Sequence, residues 1–476
     1  MSDLTVIVLA AGGGTRMKSA TAKVLHRVGG RSMVGHVLAA VRSLEPRRVV
    51  VVVGHGRDQV VPHVQQLLPE ATIAVQETQE GTGHAVMVGY AAVPDAERRG
   101  TVVVASADTP LLRGESLQAL VADHEAGERA VSILSGVVPD PTGYGRVLRD
   151  ATGAVTGIVE QKDATEEQCA VAEINSGILA MDAAWLGGAL PRLSNDNAAG
   201  EYYLTDTVAL ARGDGLAVGA HVLDDVIQTE GANDRVQLAA LARVMNQRVL
   251  ERWMREGVSV LDPETTWVES DVVLARDVTL LPGTQLLGAT VVGEGAVVGP
   301  DTTLEDVEVG AGARVVRTHG QLSVVGEGAQ VGPFAYLRPG TELGAGGKIG
   351  TFVETKNARI RAGAKVPHLS YVGDAEIGEG SNIGASTVFA NYDGVAKHRT
   401  TIGRHVRTGS KNTFVAPVAV GDGAATGAGA VIREDVPPGA LGLSAGPQRN
   451  LLGWVLRKRD GTAQADAARD AGATEG

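Results

Sequence analysis

The chain has 476 residues, enough for two to four domains at the usual ~100–200 residues each. Its 63 glycines are about 13 % of the chain against a typical ~7 %, while aromatic residues supply 3 %, so its cores cannot rest throughout on bulky rings; the 18 prolines show no G-X-Y period, which excludes collagen. Forty-three basic against 55 acidic residues leave a net charge of -12, which disfavours a nucleic-acid binder, and the lone Cys169 excludes an intramolecular disulfide framework.

The opening MSDLTVIVLAAGGG lacks the basic start and long apolar core of a signal peptide. No apolar run reaches the ~20 residues that span a bilayer, so a soluble, cytoplasmic protein without membrane insertion is expected. Short apolar runs follow at 5–10, 49–53, 73–75, 101–105 and 131–134, with helix-like stretches such as 33–44 and 115–124 between them. That alternation predicts an α/β domain on a parallel sheet, whose ligands sit beyond the carboxyl ends of the strands. The loops after Ala10 and Ala105 are therefore the first candidates for chemistry.

The first of these loops reads AAGGGTRM, with Arg16, Lys18 and Lys23 after it. Backbone N–H groups of a glycine turn can close around phosphate, and the cations can neutralise it. The spacing matches neither G-x-x-x-x-G-K-[ST] nor G-x-G-x-x-G, and alone it is equally a flexible turn.

Residues 233–256 are free of glycine and proline, and Val236, Leu238, Leu241, Val244, Met245, Val249 and Trp253 recur at helical spacing. At 1.5 Å per residue this predicts a rod of about 35 Å that either links domains or lies in a core.

A repeat then begins. Val268, Leu274, Leu280, Leu286, Val292, Val298 and Leu304 fall six apart, and the register returns at Val325, Val331, Leu337, Leu343 and Ile349. It resumes at Ile360, Val366 and Val372, at Ile377 and Ile383, and from Ile402 through Thr408, Phe414, Val420, Thr426 and Ile432. A six-residue period fits the hexapeptide class of parallel β-helix, in which each hexad forms one side of a triangular coil and its aliphatic residue points inward. The stretch ANYDGVAKHRTT interrupts the register and must project from the wall, either as a tolerated insertion or as an arm reaching a ligand or a neighbouring subunit. Small, polar and acidic residues 460–476 predict a disordered tail.

The set LAAGGGTRM…K, EGTGHA, ASADTPL, GYGR, VEQKDA and EINSGI, in that order, resembles the sugar-1-phosphate nucleotidyltransferases, and specifically their uridylyltransferase branch. The resemblance spans residues 1–235 and implies a Rossmann-like fold. It implies that Leu9, Ala10, Ala11, Gly12, Ser106 and Ala107 line a nucleotide site with Arg16 and Lys23 on its phosphates. Gln76, Gly81 and Thr82 would hold uracil; Gly145, Glu160 and Asn175 would contact the amino sugar; Asp108 and Asn233 would bind Mg²⁺. The alternative reading of each residue is a helix cap, for Asp108 ahead of Pro110 and for Asn233 on the long helix, where it could do both jobs. Relatives usually have proline before the lysine, whereas Ala22 stands here, a change expected to loosen the loop.

The β-helix segment LRPGTELGAGGKIGTFVETKNARIRAGAKVPHLSYVGDAEIGEGSNIGASTVFANYDG, taken with the first set, resembles the bifunctional N-acetylglucosamine-1-phosphate uridyltransferase / glucosamine-1-phosphate N-acetyltransferase family. That resemblance implies a left-handed β-helix, a homotrimer, and acetyl-CoA and UTP as co-substrates. Glucosamine-1-phosphate would be acetylated and N-acetylglucosamine-1-phosphate then uridylylated, a product that feeds cell-wall synthesis. His368 is the implied general base; Arg338, Lys356, Tyr371 and Asn382 would grip the sugar phosphate. Ala385, Asn391, Tyr392, Ser410 and Ala428 would surround acetyl-CoA, with Asn391 or Ser410 donating to the oxyanion. Some relatives have arginine where Ala445 stands, which leaves Arg449 and Trp454 as candidates near CoA. The expected division is 1–232 uridyltransferase, 233–257 linker helix, 258–459 acetyltransferase and 460–476 tail. A monofunctional nucleotidyltransferase with a regulatory β-helix is the alternative.

Overall fold

The computed structural model describes residues 3–444 and 446–475. The chain divides into two compact units, Met1–Glu256 with Trp267–Val272, and Gly257–Thr266 with Val273–Gly476.

The first unit is built on strands β1 (Leu4–Ala10), β2 (Arg48–Val53), β3 (Thr72–Val75), β4 (Thr101–Ser106), β5 (Val131–Val137), β6 (Arg146–Arg149), β7 (Val155–Val159), β8 (Glu173–Asp182) and β9 (Val218–Leu223). Their order is β9-β5-β8-β4-β1-β2-β3, with β6 joining β8 to β7. The β4-β1-β2-β3 half is parallel throughout, a Rossmann-like arrangement. The sheet as a whole is not parallel: β8 runs antiparallel to both β4 and β5. Period-2 alternation sends Val6 and Val8 into one buried layer and Ile7 into the other, so both faces of β1 are covered. The order reverses beside β1, which opens a crevice at the carboxyl ends of β1 and β4.

The periodic segment after residue 233 is one helix, Arg235–Arg255. It is not a free rod. Leu241 packs with Met17, Val28, Met33 and Leu111, and Val249, Leu250 and Trp253 are buried, so the helix belongs to the first unit.

In the second unit the strands pair in parallel, typically 16–18 positions apart, as in Leu280 with Val298 and Val315 with Val331. Three hexads thus close one coil of a left-handed β-helix. Every in-phase residue from Leu274 to Ile432 named above is buried. Across the projecting segment Ile377 pairs with Ile402, a span of 25, because the extra residues leave the wall. The expected disordered tail instead contains the helix Ala463–Asp470. Its alanines favour helix, Thr462 caps it by accepting from the Ala465 N–H, and Arg469 pairs with Asp460 and Asp466. Among the described residues no helix is long and apolar enough to cross a membrane.

Candidate active sites

A cavity of about 750 Å³ opens at the crevice of the first unit. Leu9, Ala11, Gly12, Arg16, Gln76, Gly81, Thr82, Ser106, Asp108, Gly145, Glu160, Asn175 and Asn233 all line it. Three expected residues do not. Ala10 and Ala107 are buried beneath it, Ala107 N–H donating to Leu9 O at 3.0 Å, and Lys23 reaches it through its partners.

The Lys23 ammonium donates to Asp108 Oδ2 at 2.5 Å and to Asn233 Oδ1 at 2.7 Å. Ser106 Oγ donates to Asp108 Oδ1 at 2.6 Å. Neither oxygen ligand is a helix cap: Arg113 and Asp234 hold those positions. The loop before Lys23 is not loose either. Ala22 has φ -57, the value proline would impose, and donates its N–H to Gln59 Oε1 at 3.1 Å; Gln59 Nε2 donates back to Ala20 O at 2.9 Å.

Opposite the glycine loop, Gly81 opens the helix Thr82–Ala91 with φ 104 and ψ 177, which only glycine adopts readily. Its carbonyl accepts from Gln76 Nε2 at 3.3 Å, and Thr82 Oγ1 accepts from the Leu204 N–H at 3.2 Å. Glu160 accepts from Thr205 Oγ1 at 3.1 Å, and burial foremost holds its carboxyl above the ordinary glutamate range. Gly145 leaves room for that carboxyl: a Cβ there would lie 3.2 Å from Glu160 Oε2. Asn175 donates its N–H to Gly145 O at 2.8 Å. Gln79, Tyr144, Glu201 and Thr205 also line the cavity and escaped the sequence reading. Gln79, which donates to Ala11 O at 2.8 Å, was legible beside the EGTGHA motif.

In the second unit His368 ends the strand Lys365–His368, exposed, and its ring makes no hydrogen bond among the described residues. Ladder bonds from Ser386 N–H to His368 O, Lys411 N–H to Ala385 O and Gly429 N–H to Ser410 O stack successive coils. His368, Ala385, Ser410 and Ala428 therefore form one column along a corner of the prism. Asn382 lies on the wall entering that corner, paired between Lys365 and Arg407.

Arg338 and Lys356 occupy neighbouring coils beyond the paired Leu337 and Thr355. Arg338 donates to Glu354 Oε1 at 2.7 Å. The Lys397 ammonium holds Lys356 below the ordinary lysine range, and Arg338 pushes the same way. Three cations thus crowd one surface, which suits a phosphate dianion. Lys397 escaped the sequence reading; its signal was a lysine within the projecting loop.

That loop is internally braced. Tyr392 bridges Lys397, the His398 N–H donates to Asn391 O, and Asp393 accepts from Val395 N–H, Ala396 N–H and His398 Nε2. These bonds hold the Asp393 carboxyl well below the usual range. Buried Asn391 donates from Nδ2 to Asp374 Oδ2 at 2.5 Å, and Gly373 leaves room for the Tyr371 hydroxyl beside it. Tyr392 is exposed and donates to Gly394 O at 2.6 Å. Trp454 begins a short helix with Arg459 over its ring, whereas Ala445 lies outside the described residues.

Residues 6–171 match the model of a MobA-like NTP transferase domain. The bifunctional protein GlmU of Thermobifida fusca is 62 % identical over 468 residues, covering 98 % of this chain and 97 % of that protein. The bifunctional protein GlmU of Kineococcus radiotolerans is 61 % identical over 466 residues, 98 % of this chain and 94 % of its own. That of Mycolicibacterium vanbaalenii is 59 % identical over 469 residues, 98 % and 95 %. With an NTP transferase fold in the first unit, a β-helix in the second, and identity of this degree along nearly the whole length, the chain is an enzyme that belongs to the family of the bifunctional protein GlmU.

Proposed function

We infer that the chain performs two group transfers in separate units: N-acetylation of glucosamine-1-phosphate from acetyl-CoA, then transfer of UMP from UTP to N-acetylglucosamine-1-phosphate with release of pyrophosphate. The observation that carries this reading is the presence of two unrelated constellations, an oxygen-lined crevice with Lys23 and Arg16 in one unit and a histidine column beside three cations in the other.

In the first unit the sugar phosphate attacks the α-phosphorus of UTP and pyrophosphate leaves, so positioning and charge neutralisation supply most of the catalysis. Gln76, Gly81 and Thr82 set the base, Glu160 and Asn175 the sugar, and Arg16 and Lys23 the phosphates. The donor set fits Mg²⁺: a carboxylate and an amide carbonyl, both hard oxygens, already converge on a cationic group. Among the described residues no three His, Cys, Asp or Glu gather as metal ligands, so phosphate and water oxygens would complete the shell. Bound there, Mg²⁺ would supply charge neutralisation across the reacting phosphates.

In the second unit His368 takes a proton from the sugar ammonium, the freed amine attacks the thioester carbonyl, and the C–S bond breaks as CoA leaves as the thiol, taking up the proton. Arg338, Lys356 and Lys397 hold the phosphate, with Tyr371 and Asn382 beside it. Neighbouring strands lie ~4.8 Å apart, which puts Ser410 about 10 Å from His368 within one chain. Ser410 and Ala428 therefore serve the long CoA arm, and small side chains leave it a track. The Ala385 N–H, one coil from His368 and without a hydrogen-bond partner among the described residues, is the nearer oxyanion donor.

Asn391 and Tyr392 flank that track on their braced loop. Phe334, Tyr336, Phe352, Leu369 and Val388 are exposed around a groove of about 370 Å³, an apolar surface that supports a homotrimer through the β-helix. The co-substrates and the lone thiol Cys169 suit the cytoplasm.

Single substitutions separate the centres. Asp108→Ala should abolish pyrophosphate release while sparing thiol release from acetyl-CoA, and His368→Ala should do the reverse. Loss of both steps in either folded variant would overturn the two-centre reading.

A further inference from the structure

The ammonium of Lys23 stands where the two expected metal ligands converge. It lies 2.5 Å from Asp108 Oδ2 and 2.7 Å from Asn233 Oδ1, and the Lys23 and Asp108 side chains are only 12 % and 20 % exposed. A Mg²⁺ ion held by the same two oxygens, at about 2.0–2.1 Å from each, would compete with the ammonium for the bridging position it now fills. A divalent ion and a lysine cation held on the same two partly buried oxygens repel at close range, where salt screens little. Metal entry therefore requires that this ammonium leave.

The backbone carrying it is held in place. Gly14, at φ 57, lies so close to Lys23 that a Cβ there would come 2.5 Å from the Lys23 Cβ, and Gln59 tethers Ala20 and Ala22 just upstream. Only the outer carbons of the side chain are free to swing, and a lysine stem has the rotatable bonds to do so. The nearest anion expected in the occupied crevice is the nucleotide triphosphate, which Arg16 also faces.

We propose that Lys23 is the built-in counter-cation of the metal site: its ammonium bridges Asp108 and Asn233 until nucleotide phosphates draw it away, so that divalent cation and nucleotide bind as a pair. This rests on reading Asp108 and Asn233 as the metal ligands. By linkage the coupling is reciprocal, each ligand raising the affinity for the other by the same factor.

The test is Mn²⁺ binding to the full-length protein, followed by the electron paramagnetic resonance signal of free Mn²⁺, with and without saturating UTP. Lys23→Met keeps the apolar stem over Gly14 and removes the charge; Lys23→Gln is the second neutral variant should the first not fold. Without UTP, the neutral variant should bind Mn²⁺ at least tenfold more tightly than the parent, and Lys23→Arg should stay as weak as the parent. With UTP the order should reverse, because the parent gains the lysine–phosphate contact. Equal or weaker binding by the neutral variants without UTP, with Asp108→Asn still abolishing binding, refutes the exchange while leaving the metal ligands standing. Mn²⁺ binding that ignores Asp108→Asn refutes the ligand assignment itself, and the exchange with it.

Discussion

Replacing Gly81 with alanine tests the uracil end of the crevice. A Cβ at Gly81 would lie 2.6 Å from Tyr202 O and 2.9 Å from Glu201 Cβ, and φ 104 is strained for any L side chain. The backbone strain costs ~1–3 kcal/mol. The clash falls on a clamp of two backbone bonds, Tyr202 N–H to Glu80 O at 2.8 Å and Gly83 N–H to Tyr202 O at 2.7 Å, each contributing ~1 kcal/mol. Relief by opening the clamp moves the Gly81 carbonyl off Gln76 and shifts Thr82, the residues expected to hold the base. KM for UTP should rise at least tenfold, the equivalent of ~1.4 kcal/mol. The assay is pyrophosphate release against UTP concentration, with acetyl transfer on the same sample as an internal control of folding. A KM within twofold of the parent, with acetyl transfer intact, refutes the assignment of this turn to the base.

Two other substitutions read charge. Burial raises the Glu160 carboxyl above the ordinary 4.5, so its ionised form is disfavoured in the folded state. Its contribution to stability is fullest below that ordinary value and is lost as pH rises through the raised one. Glu160→Gln should therefore melt higher than the parent at pH 7, the gap closing below pH 4.5, while KM for the sugar phosphate rises; a pH-independent gap would contradict the burial argument. Lys397→Ala removes one of the three cations and should raise KM for glucosamine-1-phosphate about tenfold with little change in kcat, since charge-assisted contacts contribute ~1.5–3 kcal/mol. Uridyl transfer is the control, and an unchanged KM would remove Lys397 from the phosphate site.

The repeat was the most legible part of the chain, because inward residues of a β-helix obey a period that no helix or ordinary strand shares. Every in-phase position from Leu274 onward is buried. Periodicity served less well in the long helix: Val236 fits the apolar spacing yet is 80 % exposed, since spacing alone does not say which flank meets a partner. The antiparallel course of β8 left no sign in composition, and the alanines that favour a helix beyond residue 460 were outweighed by the segment's small, polar and acidic character. Motifs located the crevice, but contacts made by distant residues were invisible. Gln59 stands in for the missing proline through hydrogen bonds, and Thr205 reaches Glu160 across 45 positions. The motif also put Lys23 on phosphate, whereas in the structure its ammonium lies between Asp108 and Asn233.

The two architectures suit ligands of different shape. A doubly covered sheet whose order reverses beside β1 makes a concave crevice, so a compact nucleotide and sugar can be gripped by loops that converge there. A stack of coils offers no such mouth. It offers corners that repeat every ~4.8 Å, and a ligand that follows a corner must be long. From His368 to Ala428 three such steps cover about 14 Å, the scale of an extended pantetheine chain rather than of a sugar. In the proposed reaction the sugar is held to one side, where the outward half of the wall offers Arg338, Glu354 and Lys356. The projecting loop adds further groups. By leaving the coil between Ile377 and Ile402 it brings Lys397 against Lys356 and sets Asn391 on Asp374, adding aperiodic polar groups to a periodic surface beside the proposed sugar-phosphate site.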